Sequence, residues 1–548
     1  MMKGNFLKRL TAGALIFAMS LSAGTAVSLA EGPSDPAPVL QPAGSANGKK
    51  ILFDNAHAQT AGAADWVIDG GFSDFGQALA GKGYYVKELR KSGPITLADL
   101  SSYDVFVIPE ANVPFKTSEQ QAMLSYVQGG GSIFFIADHY NADRNKNRWD
   151  SSEVFNGYRR GAWSNPALGM STEEASSVAM QGVASSDWLS NNFGMRIRYN
   201  ALGNVNSGTI VPSSQSFGIT SGVTSVTMHA GSTIAITDPT KAKGIVYMQQ
   251  TSAAWGNAVD QGVYNGGGIA EGPYVAIGKN SLGKVAVIGD SSPVEDSTPK
   301  YLREETGGSK TTYDGFTEAS NGALLVQLVD WLAVKESYTA LNQVSGLTLD
   351  NATALLAIES PQTSTQPQAE PWAAPAAGYK WWDSSTFKQG SYGYASTSQP
   401  PTSGAVNETF ETGTKAAYTA ASVTLGSGSW TFDNALLGDL STDKKNGTKS
   451  ARVRAAGSIY MNFNVTGGAT TVKVKHASFG SDTGATWKLQ KSLNGGSTWT
   501  DVGSTYSSSQ SLTEQTITVN ETAAVRFKIV VAGTSGSRLN FDDFTIVQ

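Results

Sequence analysis

The 548-residue sequence contains no cysteine. That excludes disulfides, thiolate metal sites and every cysteine nucleophile, and leaves stability to apolar cores or to bound hard cations. Histidine is nearly as scarce, with four in the chain, and charged residues make up only 16%. A net charge of −5 gives no broad basic surface for holding nucleic acid by electrostatics alone. After the N-terminal segment no run approaches the ~20 apolar residues of a spanning helix. No membrane span is expected.

What is present begins with an export signal. Lys3, Lys8 and Arg9 precede an apolar stretch from Leu10 to Leu21, and Ser28-Leu29-Ala30 supplies small residues for cleavage. Residues 1–30 are therefore expected to be a signal peptide and the mature protein to be secreted and extracellular. The Pro- and Ala-rich stretch 31–47 reads as a disordered leader.

The chain is too long for a single core. From 48 to 340, short apolar runs (ILF, VFVI, IFF, VAVI) alternate with helical patterns, the mark of βαβ units and a parallel sheet covered on both faces. One helix is predicted over 72–80 and another over 118–128, capped by Ser118 and ended by Gly129. Residues 341–405 are linker-like in composition, with an aromatic island between Trp372 and Trp382. The island either stacks on sugar rings or bases, or packs the linker against a domain. Regularly spaced alternating strands from 406 to 548 predict an antiparallel β-sandwich of jelly-roll type.

In an open parallel sheet, ligands bind beyond the carboxyl ends of the strands. Asp54, Asn55, His57 and Gln59 follow the first strand. Asp138, His139, Asn141 and Asp143 follow SIFFI, and Asp290, Ser291, Ser292, Glu295 and Asp296 follow KVAVI. Two of the four histidines thus fall at strand ends; His229 and His476 lie elsewhere. Imidazole and carboxylate together suit a divalent ion such as Zn, Mn or Mg, held by Asp54, His57, Asp138, His139 and Asp290. His57, Asp138 and His139 are the catalytic candidates, by way of a metal-bound hydroxide or as an acid/base pair. Ser291 lacks the GxSxG elbow of a nucleophilic serine. Polar residues at strand ends also serve as ordinary caps and turn formers. The loop 141–163 gathers Arg144, Arg148, Arg159 and Arg160 around Trp149 and Tyr158, which suits a phosphate backbone or an anionic sugar chain. Internal salt bridges to Asp143, Asp150 and Glu153 are the alternative. Asp542 and Asp543 suit either a structural Ca or a turn.

ILFDNAH, YDVFVIPE, QAMLSYVQGGGSIFFIADH and GKVAVIGDSS, in that order, resemble the class I glutamine-amidotransferase-like fold, a flavodoxin-like α/β arrangement. The likeness is nearer to its ThuA-like and IFT52-like relatives. Where that fold carries a nucleophilic cysteine this chain reads FFIADHY, so the resemblance implies the fold without glutaminase chemistry. FDNAHAQTAGAADWVIDGGFSDF and ADHYNADRNKNRWD look like secreted Bacillus-type proteins described as DNA-binding. NETFETG, KNGTKSARVR, WKLQKSLNGGSTWTDVG and RLNFDDFTI are similar to a β-sandwich appended to secreted bacterial nucleases and other hydrolases, a carbohydrate-binding-like module. The leading expectation is a secreted metal-dependent hydrolase of an extracellular polymer, with nucleic acid the favoured partner. A glycan hydrolase using the same site is the second, with acid/base work by Asp138 and either Glu153 or Asp290. A non-catalytic DNA- or glycan-binding protein is the third.

Overall fold

In the computed structural model the described residues are 31–547, less 34, 370–371, 395–405 and 466–467. The expected signal peptide lies outside them. Twelve strands belong to the first domain: β1 Val39–Leu40, β2 Lys50–Asp54, β3 Tyr85–Leu89, β4 Val105–Pro109, β5 Ser132–Ile136, β6 Met195–Ile197, β7 Val205–Ile210, β8 Thr227–Met228, β9 Ile234–Ile236, β10 Ala242–Met248, β11 Val275–Asn280 and β12 Gly283–Ile288. Ten of them form one sheet in the order β1-β3-β2-β4-β5-β12-β11-β10-β7-β8, and β6 pairs with β9 apart from it.

Only the stretch from β3 to β12 is parallel. The expectation of a parallel sheet holds for that half and fails for the other. There β12, β11, β10, β7 and β8 pair antiparallel. Residues 281–282 are too few for a crossover, so β11 must turn back into β12 as a hairpin. The sheet is therefore mixed. β2, β4, β5 and β12 are almost wholly buried because helices cover both faces. Ser73–Gly81 and Asn321–Leu332 bury Phe75, Leu79, Leu324 and Leu328 on one side; Thr117–Gln128 and Trp188–Phe193 bury Met123, Val127, Leu189 and Phe193 on the other. Ser118, predicted as a cap, lies inside its helix. The helix starts after Lys116, whose amide is capped by Glu119 Oε2 at 2.9 Å.

Two stretches predicted to be loose are ordered against this domain. In the expected leader, β1 pairs with β3, and Glu31 pairs with Arg90 (2.7 Å) and Lys300 (2.9 Å). In the expected linker, residues 341–369 and 372–394 run along the domain as a belt. It is fixed where Asp350 meets Lys243 (2.8 Å), Glu359 meets Arg198 (2.7 Å), Gln366 meets the Tyr140 hydroxyl (2.6 Å) and Trp381 Nε1 meets Glu174 (2.8 Å). A Pro- and Ser-rich composition favours loose chain, but a few well-placed polar anchors hold this one.

The C-terminal region is an antiparallel sandwich of ten strands: β13 Val406–Glu408, β14 Ala421–Leu425, β15 Gly428–Gly438, β16 Ser450–Met461, β17 Ala469–Ser478, β18 Ala485–Ser492, β19 Thr500–Ser507, β20 Thr513–Glu521, β21 Arg526–Gly533 and β22 Arg538–Val547. It is nearly closed, because β16 pairs with β21 through Ser458–Tyr460 and with β22 through Ala451–Arg454. β15 shifts register between Asp433 and Ala435, so it too runs through both sheets. Trp430, Trp487, Phe527, Phe541 and Phe544 fill the core.

Candidate functional site

Each parallel strand delivers a carboxylate to the same edge of the sheet: Glu88 from β3, Asp54 from β2, Glu110 after β4, Asp138 after β5 and Asp290 after β12. All five are buried. A row of buried carboxylates is tolerable only where cations or hydrogen-bond donors answer it. The partners differ along the row, and those differences set the chemistry.

Glu88 accepts Arg90 Nε at 2.7 Å and Asn55 Nδ2 at 2.9 Å. Asp54 Oδ2 accepts His57 Nδ1 at 2.7 Å and Gln59 Nε2 at 2.9 Å. The other ring nitrogen of His57 lies 3.2 Å from Glu119 Oε1, which also accepts the Ile95 amide. Burial alone would favour neutral imidazole. Asp54 and Glu119 outweigh it, and the His57 pKa is pushed up to about 10. Glu119, though buried, is held down to about 2 by His57. Both ring nitrogens of His57 face carboxylates, which favours the protonated ring.

Arg144 is the second cation. Its Nε donates to Glu110 at 2.9 Å, a terminal nitrogen bonds Asp138 Oδ2, and its guanidinium lies 5.6 Å from the Trp66 ring centre. Trp66 Nε1 donates to Glu295 at 2.6 Å, and Ser291 Oγ to the same oxygen at 2.9 Å, which gives Ser291 a structural partner. Among the described residues Asp290 has backbone donors alone, His229 N at 2.5 Å and Ser292 N at 2.9 Å. Burial and the neighbouring Asp138 hold its carboxyl well above the usual range. The pairing of Ile136 with Ile288 sets Asp138 and Asp290 at matching positions on adjacent parallel strands.

His139 is buried and its pKa lies below the usual imidazole value because of burial. Its Nδ1 donates to the Tyr140 carbonyl at 2.7 Å, and its ring packs 4.2 Å from that of Trp255. Its Nε2 is 4.0 Å from Asp138. Among the described residues no three His, Asp or Glu side chains converge as a metal-binding group. The five expected ligands come from three strand ends, and Arg144 bridges Glu110 and Asp138 among them.

The basic loop is committed internally. Arg148 donates to Glu174 at 2.9 Å, and Arg159 to the carbonyls of Pro166 (3.2 Å) and Leu168 (2.7 Å). Arg160 pairs with Asp260 at 2.5 Å and packs against the adjoining rings of Tyr140 and Tyr199. Trp149 and Tyr158 are buried. The arginines expected to meet substrate thus have protein partners, near in sequence for Arg159 and distant for Arg148 and Arg160. Asp542 and Asp543 likewise brace a turn: Asp542 accepts the Asn446 amide at 2.6 Å, and Asp543 pairs with Lys475 at 2.8 Å.

The chain passes from β2 to its neighbour β3 and then crosses back over β2 to β4 on its other side. This reversal makes the gap between β2 and β4 the topological switch point, where such sheets take ligands. A cavity of about 320 Å³ opens there. Asn55, His57, Lys116, Glu119 and Asn145 line one side, from the loops after β2, β4 and β5. The belt supplies the other with Tyr379, Trp381, Trp382, Phe387 and Tyr392. Tyr379 stacks on Phe387 at 5.8 Å, and Trp381 meets Trp382 edge-on at 5.8 Å. Three polar atoms of lining residues, Asn55 Oδ1, Asn145 Oδ1 and the Tyr392 hydroxyl, are buried without a partner among the described residues. Sequence reasoning missed Glu110, Glu119, Asn145 and the belt's role as a wall. Glu110 ends its strand as Asp54 does, so the same strand-end rule finds it.

No protein-family model and no curated protein matches the chain. Among solved structures, the IFT52 N-terminal domain is similar at 12% identity over 53% of this chain and 99% of that one, with a TM-score of 0.33. A ThuA-like protein from Bacteroides uniformis is similar at 12% identity over 53% and 93%, with a TM-score of 0.31. The C-terminal region is similar to the CBM22-1 xylan-binding domain of Paenibacillus barcinonensis Xyn10C, at 14% identity over 26% and 91%, with a TM-score of 0.19. These likenesses are at the level of the fold.

Proposed function

We propose that the protein is an extracellular glycan-binding protein that takes a sugar in the cavity between β2 and β4. The observation that carries this reading is an aromatic wall of Tyr379, Trp381, Trp382, Phe387 and Tyr392 set across the cavity from the polar residues Asn55, His57, Glu119 and Asn145. Sugar rings present apolar C–H faces that stack on aromatic rings and hydroxyls that hydrogen-bond to polar side chains. The cavity volume is at the lower end of small-molecule sites, which suits a mono- or disaccharide unit of a longer chain. Nucleic acid fits less well, because the arginines expected to neutralise phosphates are already paired.

The test is titration of the full chain with a panel of oligosaccharides. Trp382→Ala is expected to weaken the bound member by roughly tenfold or more, as loss of a central aromatic anchor does. Unchanged affinity in that variant, or no binding anywhere in the panel, would remove the reading.

A further inference from the structure

The sandwich carries a second aromatic surface. In the sheet containing β15, β16, β21, β18 and β19, side chains alternate inward and outward along each strand. Phe432, Ile459, Ile529, Leu489 and Val502 are in register and buried. The next row, Thr431, Tyr460, Lys528, Gln490 and Asp501, faces outward. Tyr460 stands on that row 5.8 Å from Trp499, their planes at 62°. Lys528 Nζ lies 5.4 Å from the Tyr460 ring centre and 5.6 Å from that of Trp499.

The surrounding charges and turn fix this group. Asp501 is occupied by Lys488 at 2.6 Å and Gln490 at 2.8 Å. Lys528 has no carboxylate partner among the described residues. Trp499 follows a turn in which Ser492 Oγ accepts the Gly496 amide at 2.8 Å and Asn494 Oδ1 accepts the Thr498 amide at 2.9 Å. Gly495 and Gly496, at φ 70° and 92°, supply the backbone that this turn requires.

We propose that this outer row binds a carboxylate-bearing glycan, a uronate chain, whose sugar ring stacks on Trp499 and Tyr460 while its carboxylate meets Lys528. A cation set against two adjoining aromatic rings, with no carboxylate partner among the described residues, is the complement of an anionic sugar. The site is independent of the cavity and stands or falls without it. If both sites bind, one polymer spanning them gains avidity by effective concentration.

The experiment titrates the full chain with oligogalacturonate, with a neutral galactan oligomer and with single-stranded DNA. Oligogalacturonate is expected to bind more tightly than the neutral oligomer, with an affinity that falls as salt rises. Trp499→Ala should weaken it about tenfold. Lys528→Met, which keeps both rings, should abolish the preference for the acidic oligomer. Equal binding of acidic and neutral oligomers by the wild type overturns the proposal. So does insensitivity to both sandwich substitutions, or binding of DNA in place of oligogalacturonate.

Discussion

Arg144→Met is expected to destabilise the α/β domain by about 3–5 kcal/mol, the size of change seen when one partner of a buried ion pair is removed. The side chain is only 24% exposed, and the carboxylates it serves, Glu110 and Asp138, are 0% and 4%. Without the guanidinium both stay buried, in a neighbourhood that already holds Asp290 and Glu295. Methionine fills much of the arginine stem's volume, so lost packing contributes little and lost charge dominates. Urea unfolding measures the change. Adding Glu110→Gln to the variant should restore part of the stability, because one of the stranded charges is then gone. A loss within about 0.5 kcal/mol, as at an ordinary exposed pair, would mean that the acids are not held by this arginine. Lysine is a poor substitute here, because a single ammonium does not reproduce two bonds in a planar fork.

Arg144 also shows where sequence reading stops. The strand ends were legible, because buried parallel strands write themselves as continuous apolar runs and the polar residue after each run stands out. Asp54, Asp138 and Asp290 were found in this way. Their partners were not. His57 depends on Glu119, sixty-two positions away, and no local spacing reports that contact. The basic loop was legible as composition, yet Arg148 and Arg160 are settled by Glu174 and Asp260 from outside it. The belt was read as linker because Pro, Ser and Gln favour open chain. Its wall of Tyr379, Trp381 and Tyr392 is placed by polar anchors at Asp350, Glu359 and Trp381 that composition averages away. The antiparallel half of the sheet escaped for a related reason. Strands β7, β8 and β10 are short and rich in Gly, Ser and Thr or interrupted by register shifts, so their pattern resembles loops until they pair.

The His57 clamp is expected to impose a pH window on stability. The unfolded histidine titrates near 6.5, whereas the folded one holds its proton to about 10. Its contribution is complete below about 6.5 and is lost as pH rises toward the folded value, at about 1.4 kcal/mol per pH unit. Glu119 acts in the opposite sense. Its folded pKa, about 2, lies below the unfolded value near 4.5, so its contribution is complete above that value and is lost as pH falls. Both are whole only between about 4.5 and 6.5. Other buried groups also titrate, so the informative quantity is the stability of the wild type minus that of His57→Gln, followed across pH. That difference should be greatest near pH 6 and shrink steadily toward pH 9, because glutamine cannot lose the proton that histidine does. A difference that stays flat from pH 6 to pH 9 would mean that His57 is neutral in the fold. Its ring would then have a lone pair, and the metal-ligand role expected from the sequence would again be open to it. A shrinking difference leaves His57 as a fixed cation in the lining of the cavity, where a ligand meets a charge and not a base.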